Sequence, residues 1–94
     1  MKYSIDYTGK FSKALKKCYK RGLNIESLRA VISMLENSGT LPPEYRAHKL
    51  SGNYAGCWEC HIQSDWLLIW KQDDEKLTLL FVDSIRPKKA GLKI

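Results

Sequence analysis

Three short apolar runs crowd the second half of the chain: Cys57 to Ile62, Trp66 to Lys71 and Leu77 to Asp83. Only Gln63-Ser64-Asp65 and Gln72 to Lys76 separate them. Links this short allow hairpins and exclude the long crossovers that parallel neighbours need, so the three runs are expected to form an antiparallel meander. Trp66 to Trp70 is apolar at every position, the pattern of a strand covered on both faces, which places it centrally. Whatever precedes the meander must therefore cover it.

The first half has helical spacing. After an alternating segment with Tyr3, Ile5 and Tyr7, expected to be a half-buried strand, Thr8 can cap a helix. Its inward positions are Phe11, Ala14, Leu15 and Cys18, with the lysines on the other face and Gly22 as the stop. Asn24 caps a second helix with Ile25, Leu28, Val31, Ile32 and Leu35 inward, stopped by Gly39. Leu41-Pro42-Pro43 makes a stiff loop, His48 to Leu50 a short strand and Ser51-Gly52-Asn53 a turn. The expected fold is one α+β domain, with an antiparallel helix pair packed on one face of a small, mainly antiparallel sheet.

Charge narrows the partners. Sixteen basic residues stand against 10 acidic ones, a net charge of +6. Up to Arg21 the chain carries Lys2, Lys10, Lys13, Lys16, Lys17 and Lys20 against Asp6 alone, and Arg86, Lys88, Lys89 and Lys93 crowd the tail. Such clusters suit a polyanion, although a solvated helix face is the ordinary alternative. Three cysteines, no signal-like N-terminus and no apolar run able to cross a bilayer lead to the expectation of a cytoplasmic protein with reduced thiols and no membrane contact.

Cys57-Trp58-Glu59-Cys60-His61 matches a haem-attachment pattern. On a strand, however, Cys57 and Cys60 point to opposite faces, and no second cysteine pair completes a zinc site. No cofactor and no metal are expected. Alternation puts Trp58, Cys60 and Ile62 towards the core and Glu59 beside His61 on the other face. A carboxylate and an imidazole so placed can hold each other's protonation state and exchange a proton with substrate. Asp65 lies in the following turn, and His48 is the only other histidine. Trp66 at the sheet rim can stack a base, though a tryptophan in an apolar strand is more often core. Arg46 and Lys49 flank His48 and can hold phosphate.

His48-Lys49-Leu50-Ser51-Gly52, Glu59-Cys60-His61-Ile62 and Asp65-Trp66-Leu67-Leu68-Ile69-Trp70 together resemble the RelE-type toxins of bacterial toxin–antitoxin pairs, nearest the YafQ branch. The resemblance covers about residues 1 to 82, including the helix pair and the Leu-Pro loop. It implies a RelE-like, microbial-RNase-like fold over residues 1–83, followed by a basic tail, 84–94. It implies a metal-independent endoribonuclease, an mRNA interferase acting in the ribosomal A site, with mRNA, the ribosome and a cognate acidic antitoxin as partners. In the family reaction the substrate 2′-OH attacks the adjacent phosphate. His48, Glu59, His61 and Asp65 match positions linked to catalysis, and Trp66 matches a residue of the same site.

The tail departs from the family. An arginine just after the last strand and a Gly-Ser/Thr-His segment are usual, whereas Asp83 and Pro87 stand in the positions of that arginine and histidine. Arg86 or Lys88 can stand in for the cation, which keeps an active enzyme in view. The alternatives are a weakened or inactive homologue that docks its antitoxin without cleaving RNA, and a basic RNA-binding or structural module outside the family.

Overall fold

The computed structural model describes residues 2–84. Strands β1 (Ser4–Tyr7), β2 (His48–Lys49), β3 (Cys57–Gln63), β4 (Trp66–Gln72) and β5 (Lys76–Ser84) form one sheet in the order β1-β5-β4-β3-β2. Helices α1 (Gly9–Lys20) and α2 (Ile25–Ser38) follow β1. The meander β3-β4-β5 and the β2-β3 pair are antiparallel, while β1 lies parallel to β5.

Both helices start where a side chain can satisfy amide groups left open in the first turn. Thr8 Oγ1 accepts from Phe11 N at 3.0 Å. Asn24 Oδ1 accepts from Glu26 N and Ser27 N at 3.0 and 3.3 Å. Gly39 closes α2 at φ 74°, a left-handed conformation that costs a glycine nothing. The Leu-Pro loop carries a short 3-10 turn, Pro43–Tyr45, because proline is preset for the first position of a helical turn.

Phe11, Ala14 and Cys18 of α1 and Leu28, Val31 and Leu35 of α2 meet Cys60, Ile62, Leu68, Trp70, Leu77, Leu79 and Val82 of the sheet in one core. Leu15, Ile25 and Ile32 pack against it half-buried. Tyr7, expected half-buried, is 64% exposed: β1 is the edge strand, and its tyrosine only leans towards Phe11.

One irregularity decides which face β5 presents. Its register passes from Phe81 opposite Ile69 to Leu79 opposite Trp70, so Leu80 is an extra residue. A bulge of this kind reverses side-chain alternation. Leu77 and Leu79 point inward, and beyond the bulge Val82 does so, leaving Phe81 and Asp83 half-buried on the other face. Alpha-1 seals this half of β5: Thr8 Oγ1 donates to Leu80 O at 3.2 Å and Cys18 Sγ donates to Val82 O at 3.8 Å.

Candidate functional site

The sheet face opposite the core carries the polar chemistry. Register pairing aligns His48, Glu59, Ile69 and Phe81 across β2, β3, β4 and β5, and aligns His61, Leu67 and Asp83 on a second rung. Cys60 and Ile62 are buried with relative exposures of 0% and 5%, and Trp58 packs half-buried against the core, so strand alternation leaves Glu59 and His61 side by side on the outer face. Cys57, of opposite parity to Cys60, is partly accessible, whereas burial pushes the Cys60 thiol up to about 12, helped by the Glu59 charge.

His48 is held at both ring nitrogens. Nδ1 lies 2.8 Å from Arg46 O and Nε2 lies 3.1 Å from Glu59 Oε1. A neutral imidazole has one donor and one acceptor nitrogen, yet both partners here are acceptors when Glu59 is ionised. The geometry is complete when ring and carboxyl share two protons between them, as an imidazolium–carboxylate pair or as a neutral ring beside a protonated acid. A proton moved along the Nε2–Oε1 contact changes which group can give one to substrate. The Glu59 carboxylate is the better shielded partner, with 18% of its side chain exposed against 48% for His48.

The peptide before β2 makes this possible. Arg46 adopts φ 53°, ψ 41°, a left-handed conformation uncommon for a residue with a side chain. That turn ends the 3-10 segment and aims the Arg46 carbonyl back at the imidazole. Arg46 also lines a recess of about 470 Å³ with Glu44, Tyr45, His61, Gln63 and Ser64. His61 shares this recess with Arg46 and Glu44, and its Nδ1 lies 3.4 Å from Ser64 O, a long contact that leaves the ring adjustable. Asp65 is exposed in the turn after Ser64.

One expected RNA contact points to the other face, and a second is half covered. Lys49 does not flank the His48 side chain: it pairs with Trp58, and its Nζ lies 5.7 Å from the Trp58 ring centre, on the opposite face. Adjacent residues of a strand point to opposite sides, which the expectation ignored. Trp66 alternates with the buried Leu68 and Trp70 and packs half-buried against the core. Arg86 and Lys88 lie outside the described residues, as does Pro87.

Asp83 lies on the outer face, and Arg21 Nη1 is 3.7 Å from its Oδ1. Arg21 was not singled out in the sequence, where it reads as one more basic residue at a helix end. Only docking of α1 along β5 brings it to Asp83. Among the described residues, no helix is long and apolar enough to cross a membrane.

Comparison with known proteins places this geometry. The family model for "Bacterial toxin of type II toxin-antitoxin system, YafQ" matches residues 3–85. The mRNA interferase toxin YafQ of Escherichia coli K12 is 35% identical over 74 residues, which are 78% of this chain and 80% of that protein. The crystal structure of YafQ from E. coli BL21(DE3) superposes with a TM-score of 0.82 at 31% identity, covering 87% of this chain and 92% of that one. YafQ in the E. coli DinJ–YafQ toxin–antitoxin complex superposes with a TM-score of 0.81 at 30% identity, covering 89% of this chain and 93% of that one.

Proposed function

The chain belongs to the YafQ family, the bacterial toxins of type II toxin–antitoxin systems, and we propose that it is an mRNA interferase whose outer sheet face cleaves messages on the ribosome in the cytoplasm. The observation that carries the proposal is the His48–Glu59 pair, with His61 on the adjoining rung of the same half-exposed face.

Cleavage by an internal nucleophile needs three services. A base takes the proton of the 2′-OH as its oxygen bonds to the adjacent phosphorus, cations stabilise the charge on the pentavalent phosphorane, and an acid protonates the departing 5′-oxygen. The P–O5′ bond breaks, leaving a 2′,3′-cyclic phosphate and a free 5′-hydroxyl. His48 with Glu59 forms one proton-exchanging unit, and His61 forms a second. Asp65 is the further acid at this end of the sheet, and Arg46 brings positive charge to the His61 recess. Trp66 serves from the rim of β4, through its edge if it meets a base. The partner that holds this toxin inactive is a cognate acidic antitoxin, as DinJ accompanies YafQ in the E. coli complex.

A second reading has one observation in its favour. The family's arginine is replaced by Asp83, whose carboxylate faces Arg21, so this position of β5 presents an acid to the outer face. A homologue that binds antitoxin and ribosome without cleaving would have this feature.

The products separate the two. Purified, antitoxin-free protein added to translating ribosomes is expected to give message fragments ending in 2′,3′-cyclic phosphate, and a 2′-deoxy nucleotide at the cut position is expected to block that cut. Retained ribosome and antitoxin binding without new fragments would favour the binding-only reading.

A further inference from the structure

Lysines 10, 13 and 17 form one stripe of α1, and that stripe does not face open solvent alone. Together with Ala14, Phe81 and Asp83 they line a recess of about 270 Å³. Lys10 Nζ stands 5.2 Å from the Phe81 ring centre. The recess opens on the outer face because the bulge at Leu80 turns Phe81 and Asp83 away from the core. Its floor therefore belongs to the rungs of the candidate site: Phe81 lies across Ile69 from Glu59, and Asp83 lies across Leu67 from His61.

The Asp83 carboxylate is negative, but Arg21 at 3.7 Å offsets it, so the three lysines leave the recess cationic. Space of this size exceeds a phosphodiester group with a few waters, at about 30 Å³ per water. Strands are about 4.8 Å apart, so β5 lies about 10 Å from β3. A single RNA strand crossing the outer face can therefore meet both β3 and the recess.

We propose that Lys10, Lys13 and Lys17 form a phosphate-binding rail for single-stranded RNA, holding the backbone of the same strand whose scissile phosphate lies beside His48 and His61. The proposal rests on the reading of the outer face as the RNA-cleaving face and adds to it where the strand runs. It also gives the chain a source of positive charge on the β5 side, where Asp83 replaces the family's arginine. The lysines are positioning residues: they hold RNA through its backbone and carry no base preference.

The test uses the full chain and a short single-stranded RNA methylated at every 2′-oxygen, which removes the nucleophile and lets binding be measured without cleavage. Affinity is followed from low to high salt for the wild type, for Lys10→Gln/Lys13→Gln/Lys17→Gln and for Lys16→Gln/Lys20→Gln/Arg29→Gln. The second variant loses the same charge from helix positions away from the recess. Glutamine has a helix propensity close to that of lysine and arginine, so both variants are expected to fold, which circular dichroism checks. Each neutralised phosphate contributes about 0.7 to the slope of log affinity against log salt for single strands. The rail variant is expected to lose up to about 2 from the slope, with the control near the wild type. Equal losses in both variants, or none in either, would overturn the rail. A wild type with no salt-dependent RNA binding would overturn the RNA-contacting face itself, and the rail with it.

Discussion

The Nε2 atom of His48 stands 3.1 Å from Oε1 of Glu59, while the other nitrogen of the same ring is 2.8 Å from the Arg46 carbonyl. An imidazole flanked by two acceptors is fixed in orientation. That fixed orientation is what a proton-transferring pair requires.

Separate effects on activity and stability follow. Glu59→Gln keeps the shape and removes the charge, and His48→Ala removes the ring. Each is expected to lower the cleavage rate by about 10²–10⁴-fold, the usual contribution of a positioned acid or base. His48 is half exposed and Glu59 better shielded, so each is expected to shift unfolding free energy by about 1–3 kcal/mol at most. Single-turnover cleavage and urea unfolding on the same preparations check both halves. Equal loss of stability and activity would assign the pair to the fold.

Asp83→Arg restores a cation to the outer face. Cleavage is expected to rise by about tenfold or more, since a cation near developing phosphorane charge is worth a few kcal/mol at most. Stability is expected to fall by less than about 1 kcal/mol, because the exposed Arg21–Asp83 pair is lost and replaced by repulsion. Cleavage rates and melting curves of the two proteins measure this.

Much of the outer face was legible because a strand has period two. The buried side of Cys57 to Ile62 identifies itself through its apolar residues, and Glu59 with His61 is what remains. The helices were legible for a similar reason: Thr8, Asn24 and Gly39 punctuate two amphipathic runs. Alternation applied consistently would also have turned Lys49 away from His48. Other features depend on contacts that no local pattern encodes. The parallel pairing of β1 with β5 joins residues more than seventy positions apart. The bulge at Leu80 is hidden in the continuous apolar run Leu79-Leu80-Phe81-Val82, where either parity looks acceptable. Lys10, Lys13 and Lys17 read as a solvated stripe until β5 is placed beneath them.

The C-terminal end of the second helix is tied to the sheet through Gln72. Trp70 Nε1 donates to Gln72 Oε1 at 2.9 Å, and Gln72 Nε2 donates to Gly39 O at 3.2 Å. A methyl group at Gly39 would stand 2.5 Å from Tyr3 Cε2 in a residue at φ +74°. Gly39→Ala is expected to cost about 1–3 kcal/mol, from backbone strain together with displacement of Tyr3. Trp70→Ala, which removes a fully buried ring stacked on Trp58, is expected to cost about 3–5 kcal/mol. Urea unfolding orders the two variants, and a milder Trp70→Ala would contradict this packing.

Cys60 makes stability fall in alkali. Its thiol ionises near 9 when exposed and is pushed up to about 12 in the fold, mainly by burial and then by the Glu59 charge. A raised folded value means the unfolded chain loses its proton first. The contribution is therefore complete below pH 9 and disappears as pH rises towards 12. Unfolding measured from pH 8 to 11 should show a steeper alkaline decline than in Cys60→Ala, which starts from a lower stability. At pH 8 a thiol reagent should modify native Cys57 before Cys18 or Cys60, both of which are buried.

The central claim is that the outer face cuts messages. Its most direct measurement is primer extension on a defined message, translated in a purified system with wild-type protein, with His48→Ala/His61→Ala, and with no addition. New 5′ ends inside the coding region that appear with the wild type and vanish with the double variant are the expected result. An intact message with the wild type, or the same ends with the double variant, would contradict the account.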